Sequence, residues 1–166
     1  MYPLNAWDTV VLHHSASDPE ETTLETVRKW HLARGWEDIG YHFFIDFEGQ
    51  IHRGRDMRWR GAHVRDHNNH TLGICIAGNN TREDQCWNQT QLDDGLIPLI
   101  QALNLLYGEF DITGHSSMGQ TECPGIYLAH YKVAEVLEEI EQWSNEGVWN
   151  IIEEQRLDNA PDTVVV

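Results

Sequence analysis

A histidine and a cysteine lie eight residues apart in a loop of small residues between Gly114 and Gly125. His115 follows a short β-rich segment, and Cys123 is followed by Pro-Gly. Imidazole nitrogen and thiolate sulfur are typical zinc ligands, and a third ligand from a neighbouring strand end would leave one position for water, as in catalytic sites. The spacing also fits a different interpretation, in which Cys123 is a small core residue and His115 a hydrogen-bonded loop histidine.

Two adjacent histidines in VVLHHSAS, residues 10–17, are the candidates for that third ligand. Neighbouring side chains of a strand point to opposite faces, so His13 and His14 cannot easily serve one site together. On this ground alone either of them could be the ligand. The chain has 10 histidines, which raises the expectation of a metal site, but only spacing separates ligands from structural histidines.

Other chemistries fit the same loop less well. The sequence GHSSMG resembles the GxSxG nucleophile elbow, but Met118 occupies the position that needs glycine, and HExxH does not occur. A thiol nucleophile at Cys123 with His115 as its base stays open, although Pro124 removes a backbone N–H that an oxyanion site would use. Paired carboxylates for glycoside hydrolysis also stay open, because acidic residues are abundant, although no pair is marked by an aromatic or apolar setting.

The predicted elements alternate between strands and helices. A first helix follows a capping box at 22–25, carries Leu24, Val27 and Trp30 at helical spacing, and ends before Gly35. A second helix carries a leucine-rich stripe over 92–106, and a third is expected over 133–140. Strands are expected at 9–14, 39–46, 51–53, 71–77 and 111–113, with a hairpin turn at 47–50. This alternation predicts an α/β sheet covered by helices.

Length and composition indicate one domain. The chain has 166 residues, of which 40% are hydrophobic, enough for a core of its own. With 11 Lys+Arg against 27 Asp+Glu its formal charge is −16, which repels phosphate backbones and argues against a nucleic-acid partner. Three cysteines without a short repeated spacing predict no disulfide framework and favour a reducing compartment. Neither a signal peptide nor an apolar run of roughly 18 residues is found, so no membrane insertion is expected.

Four ordered motifs resemble those of a known family. They are VVLHHSAS, WHLARGWEDIGYHFFID, GAHVRDHNNHTLGICIAGN and ITGHSSMGQTECPG. Together they are similar to the zinc N-acetylmuramoyl-L-alanine amidases of the peptidoglycan recognition protein superfamily. The resemblance implies a single α/β domain with a central mixed β-sheet of about five or six strands flanked by three main helices. It implies a catalytic domain over 1–146 and leaves 147–166 as a C-terminal tail of uncertain structure.

The resemblance also implies which residues perform the chemistry. One Zn²⁺ would be held by His13, His115 and Cys123, and family members that bind the polymer without cleaving it typically lack this cysteine. Tyr41 matches a tyrosine assigned to catalysis, although by itself it would be interpreted as a core tyrosine on a strand. Thr121 matches a second catalytic position, occupied by lysine in some members and by threonine in others. Ser117 stands where many related enzymes have an acid.

A substrate groove is implied as well. His63 of the Gly-Ala-His motif aligns with a histidine thought to contact the glycan or the peptide. The other residues expected along the groove are Trp36, Trp59, His67, Asn68 and Asn69. Trp30 and His31 are expected to be packing positions, and His42, next to Tyr41, a core histidine on the other side of its strand.

The function implied by the resemblance is cleavage of the amide bond between N-acetylmuramic acid and L-alanine of the stem peptide in bacterial peptidoglycan. The chain is then expected to be a monomeric phage endolysin, a bacteriolytic and antimicrobial enzyme held in the host cytoplasm until its release to the periplasm or cell wall. A recycling amidase or a secreted antibacterial effector would have nearly the same core. The alternatives are a non-catalytic module that binds muropeptides, and an amidase with a second role in binding RNA polymerase.

Overall fold

The computed structural model describes residues 1–125, whose centre is a five-stranded mixed β-sheet. Its strands are β1 Thr9–His14, β2 Phe43–Ile45, β3 Ile51–Arg53, β4 Thr71–Ile76 and β5 Asp111–Gly114. Across the sheet they follow the order β3-β2-β4-β1-β5. Strands β2, β4, β1 and β5 are mutually parallel, and β3 returns antiparallel to β2. The predicted α/β class and mixed sheet are confirmed.

The helices are α1, Leu24–Ala33, and α2, Ile97–Tyr107. Helix α1 is capped by Thr23, whose hydroxyl accepts a hydrogen bond from the Thr26 backbone N–H at 3.2 Å, one residue later than the predicted capping box. Gly35, at φ +81°, ends the helix as predicted. A π-helical turn, Gln91–Leu96, leads into α2 and was not predicted. The helix expected at 133–140 and the tail at 147–166 lie outside the described residues.

The two helices cover opposite faces of the sheet. Leucines and isoleucines of α2 and its π-helical turn pack with Val10, Leu12 and Ile74 in the larger core cluster. On the other face Val27 of α1 packs with Phe44 and Cys75. Every residue of β1 and β4 is buried, as expected for parallel strands covered by helices on both faces, and apolar residues predominate in both strands.

Two expectations about individual elements are corrected. Trp30 is 41% exposed, so it is not a packing position. Helix α1 buries Val27 and His31 instead, because an i to i+4 step stays on the face turned to the sheet. Strand β2 begins at Phe43, later than predicted, so Tyr41 precedes the strand. Within residues 1–125 no helix combines the length and the apolar character needed to cross a membrane.

Candidate metal centre

The carboxyl edge of the parallel strands brings the predicted ligands together. Leu12 of β1 is in register with Gly114 of β5. His13 and His115 directly follow these two residues in the chain, so they lie side by side at the same edge. The side chain of Cys123 returns to this edge from the loop that follows β5. Ligand atoms of His13, His115 and Cys123 all lie within 4.8 Å of one another. The fold therefore brings together three residues, of which His13 and Cys123 are 110 positions apart in the sequence.

The donor set fits a tetrahedral metal ion. The Sγ of Cys123 is 3.6 Å from Nδ1 of His13. Two such ligands of a tetrahedral zinc, at their usual bond lengths, would be about 3.5 Å apart. Two imidazoles and one thiol leave a fourth position open, which is the pattern of catalytic zinc sites. These three residues could hold a metal without rearrangement of the backbone.

The ionisation of the three groups suits a metal site. Burial, and then the neighbouring His63, lower the pKa of His13 well below its usual 6.5. Burial also lowers the pKa of His115. Both imidazoles are therefore neutral near pH 7, the form that binds metal. Burial raises the pKa of the Cys123 thiol to about 11, so this thiol keeps its proton until a cation displaces it.

His14 faces away from the three candidate ligands. Its Nδ1 accepts a hydrogen bond from the backbone N–H of Asn80 at 3.1 Å. The Asn80 side chain in turn donates to the carbonyl of Pro124 at 2.8 Å and accepts from the backbone N–H of Trp87 at 2.9 Å. Asn80 thus ties the loop that carries Cys123 to the end of β4. The predicted division between a ligand-side His13 and a hydrogen-bonded His14 agrees with this geometry.

The Pro-Gly that follows Cys123 is shaped by the same contact. Gly125 has φ +104°, and a Cβ there would lie 2.5 Å from Cβ of Asn80. A side chain at this position would push the loop away from Asn80 and move Cys123 with it.

Tyr41 lies beside the candidate ligands. Its ring contacts the ring of His13 at a centroid distance of 4.9 Å, and its hydroxyl shares a hydrogen bond with the buried thiol of Cys75. Cys75 is in register with His13 on the neighbouring strand β4. Burial raises the pKa of Tyr41 well above 10. The phenol therefore stays protonated and can donate a hydrogen bond.

Thr121 is exposed next to Cys123. Its hydroxyl oxygen accepts a hydrogen bond from the Cys123 backbone N–H at 3.1 Å. Accepting this bond leaves the hydroxyl hydrogen for another partner. Ser117, at the position where related enzymes have an acid, ends the 3₁₀ helix His115–Ser117 and is also exposed.

The remaining predicted groove residues do not share one location in the structure. Trp36 stacks on His31 at 4.5 Å, and His31 contacts Tyr41 at 5.4 Å, so a row of rings leads away from His13. The side chains of Trp59 and His67 are half-buried. Two further predicted residues, Asn68 and Asn69, help to line a cavity of about 780 Å³ that does not include the other three among its described walls.

His63 occupies a different place from the groove position that the sequence predicts. It is only 8% exposed and lies behind His13, with its Nδ1 3.0 Å from His13 Nε2. His42 is fully buried, as predicted, and contacts the ring of His63.

Sequence reasoning missed Asn80, Cys75 and Thr71 around this site. The polar residues directly after β4 were the available signal for Asn80, but nothing distinguishes it from Asn79 before the fold is known.

An α/β sheet with two histidines and a cysteine at its carboxyl edge, and one ligand position open, is the arrangement expected of a metal-dependent hydrolase. Residues 3–126 match the Amidase_2 family, described as N-acetylmuramoyl-L-alanine amidase, and the chain belongs to this family. The predicted superfamily is thereby confirmed.

Curated relatives include both enzymes and recognition proteins. The chain is 28% identical to the endolysin of Escherichia phage T7 over 128 residues, which cover 75% of this chain and 84% of the phage protein. It is 30% identical to peptidoglycan-recognition protein SC2 of Drosophila melanogaster over 142 residues, 81% of this chain and 73% of that protein. An N-acetylmuramoyl-L-alanine amidase of Sus scrofa is 34% identical over 104 residues, 61% of this chain, but the match spans only 17% of the pig protein.

Solved structures show the same fold. The N-acetylmuramoyl-L-alanine amidase LysC of Clostridium intestinale is 31% identical with a TM-score of 0.71, covering 81% of this chain and 85% of LysC. The ectodomain complex of peptidoglycan recognition proteins LCa and LCx, bound to tracheal cytotoxin, contains a chain that is 28% identical with a TM-score of 0.68, covering 78% of this chain and 86% of that one.

Proposed function

We propose that this chain is a zinc-dependent peptidoglycan amidase that cleaves the bond between N-acetylmuramic acid and L-alanine of the stem peptide, and that it acts as a phage endolysin. The observation that carries the proposal is the convergence of His13, His115 and Cys123 within 4.8 Å at the carboxyl edge of the sheet. Membership of the Amidase_2 family supports the reaction, and similarity to the T7 endolysin supports the biological role.

His13, His115 and Cys123 would hold the ion. When bound, zinc lowers the pKa of water toward ~7 and polarises an amide carbonyl. Tyr41 would donate a hydrogen bond to the carbonyl oxygen as negative charge develops on it, because its raised pKa keeps the phenol protonated. The contact between its ring and the ring of His13 keeps the phenol at the site.

Thr121 would act from the loop that carries Cys123. Its hydroxyl oxygen accepts the bond from the Cys123 N–H, so its hydrogen can be donated to another partner. This hydroxyl would orient the substrate carbonyl or the leaving amine, which must gain one proton when the amide bond breaks. We assign the delivery of that proton to Tyr41, Thr121 or a solvent water.

The alternative of a different class is a non-catalytic role in binding muropeptides. Similarity to peptidoglycan-recognition protein SC2 supports this alternative. The position of the Cys123 thiol beside two neutral imidazoles favours the catalytic role over the binding role, because binding a muropeptide does not require three metal ligands at one point. A second role in binding RNA polymerase stays a prediction, to be tested by a pull-down with purified polymerase.

Incubation of the zinc-loaded protein with purified peptidoglycan tests the proposal. We expect new free amino termini of L-alanine without new reducing sugars, and loss of this activity on treatment with a chelator. Cys123→Ala should lose both stoichiometric zinc and hydrolysis. Cys86→Ser is the matched control, because the Cys86 thiol donates to the Arg82 carbonyl and is not among the three converging candidate ligands.

Each result separates the alternatives. New reducing sugars would indicate a glycosidase instead of an amidase. Binding of muropeptides without hydrolysis by the zinc-loaded chain would leave the recognition role. Full zinc content and full activity in Cys123→Ala would show that the assigned ligands are wrong.

A further inference from the structure

The ring of His63 is built into the protein directly behind His13. Its Nδ1 lies 3.0 Å from Nε2 of His13, and the two rings meet edge to face at a centroid distance of 5.1 Å. The other nitrogen of His13, Nδ1, is the one that faces Cys123 at 3.6 Å. His63 therefore contacts the side of His13 that points away from the candidate metal position.

A chain of hydrogen bonds fixes where the protons lie. The Thr71 hydroxyl donates to the carbonyl of His67 at 2.9 Å, so its oxygen can only accept from Nε2 of His63 at 3.4 Å. A neutral imidazole with its proton on Nε2 has a bare Nδ1. Nδ1 of His63 must then accept the Nε2–H of His13, which leaves Nδ1 of His13 bare toward Cys123.

Two glycines and Asn68 enclose the ring of His63 and hold its backbone. A Cβ on Gly61 would overlap Cδ2 of His63, and a Cβ on Gly73 would lie 2.7 Å from the same atom. Asn68 fixes the backbone beneath it, since its Oδ1 accepts from the N–H groups of His63 and Val64 at 2.9 and 3.0 Å. With 8% of its surface exposed, the His63 side chain has little contact with a substrate groove.

We propose that His63 is a positioning residue for the metal ligand His13. By accepting the Nε2–H of His13, it selects the tautomer whose Nδ1 lone pair points at the ion and holds the ring in that orientation. This inference rests on the proposed zinc site. Partners in this position typically change metal affinity by about 10–100-fold when removed.

The test measures zinc affinity of the apo protein by competition with a chromophoric chelator, with no substrate present. His63→Leu removes the acceptor and should weaken zinc binding by about 10–100-fold. His63→Asn places an amide oxygen near the position of Nδ1 and should recover most of the loss. Circular dichroism and thermal unfolding of the apo forms show whether each variant is folded.

A second pair of variants tests Thr71, the last residue in the series of hydrogen bonds that runs from His13 through His63. Thr71→Val keeps the shape of the side chain but removes the oxygen that accepts from His63, and should weaken zinc binding about fivefold, as expected for one hydrogen bond. Thr71→Ser keeps the hydroxyl and should bind zinc like the parent. Long-range ¹H–¹⁵N spectra of the zinc-loaded parent should show the protons of His13 and His63 on Nε2.

The outcomes distinguish this inference from the proposed function. A parent chain that takes up no zinc would overturn the proposed function. A parent that binds zinc, with equally tight binding in folded His63→Leu or with no recovery in His63→Asn, would overturn only the positioning role. A proton on Nδ1 of His63 would overturn it as well.

Discussion

The imidazole rings of two adjacent histidines at the end of β1 have different partners. His13 faces Cys123 and His63, whereas His14 accepts a hydrogen bond from the backbone of Asn80. The physical cause is the pleat of the strand, which sends neighbouring side chains to opposite faces. At this scale the chemistry depends on which neighbours a residue meets beyond its own strand, as Tyr41 illustrates by lying between His13 and Cys75.

Replacing Tyr41 by Phe tests the role of its hydroxyl. Because the ring remains against His13, we expect zinc affinity to be retained while kcat for peptidoglycan hydrolysis falls by about 10²–10³, the usual loss for one oxyanion donor. Steady-state kinetics with zinc-loaded protein measure this change. Tyr107→Phe, at the end of α2 by the opposite edge of the sheet, is the control that should leave kcat unchanged. Unchanged kcat in Tyr41→Phe would remove this residue from the mechanism.

Among the elements, the loops after β4 and β5 act as one unit. Asn80, directly after β4, holds the carbonyl of Pro124 and the N–H of Trp87, while its own N–H is held by His14. The residue is 2% exposed, so these bonds are formed away from water. The position of Cys123 is thus set by an element that contributes no ligand.

Asn80→Ala should therefore affect both folding and metal binding. Loss of its side chain leaves the buried N–H of Trp87 and the Pro124 carbonyl without this partner, at a cost of about 1–3 kcal/mol in the free energy of unfolding. Zinc binding should weaken as the loop of Cys123 loosens. Denaturant unfolding and zinc titration measure the two effects. Asn79→Ala is the comparison, since the side-chain oxygen of Asn79 accepts hydrogen bonds from the exposed neighbour Thr81 and its loss should cost less.

The whole molecule depends on buried neutral histidines. The described residues include five that are less than 9% exposed: His13, His14, His31, His42 and His63. His42 illustrates their structural use, because its Nδ1 accepts from the Gly73 N–H and its Nε2 donates to the Trp59 carbonyl. Burial lowers the pKa of His42 to about 4. The folded protein thus holds this ring uncharged where an unfolded chain would protonate it.

The lowered pKa of His42 determines how the free energy of unfolding changes with pH. A pKa below the unfolded value near 6.5 means that the stabilisation is complete above pH 6.5 and is lost as the pH falls toward 4. In this window His42 should contribute a slope of about 1.4 kcal/mol per pH unit to the free energy of unfolding. Urea unfolding measured from about pH 7.5 down to about pH 4.5, across the unfolded pKa and toward the folded one, should show a shallower slope in His42→Gln. An equal slope in both proteins would contradict this assignment.

Much of the site could be predicted from the sequence, because local patterns determine elements and their ends. The apolar runs of β1 and β4, the hairpin of β2 and β3 and the leucine stripe of α2 all form as predicted. The capping of α1, the exposure of Trp30 and the π-helical turn before α2 differ, because they depend on how each helix meets the sheet.

The sequence by itself determined the α/β class and, through its four motifs, the family and a short list of ligand candidates. Only the tertiary structure decided that Asn80 holds the loop of Cys123, and that His63 lies behind His13 instead of in an open groove. The reason is physical: spacing along a chain specifies residue types and strand alternation, but hydrogen-bond partners such as Thr71 and Asn80 are chosen by strand order and register. These long-range pairings exist only when the sheet is formed.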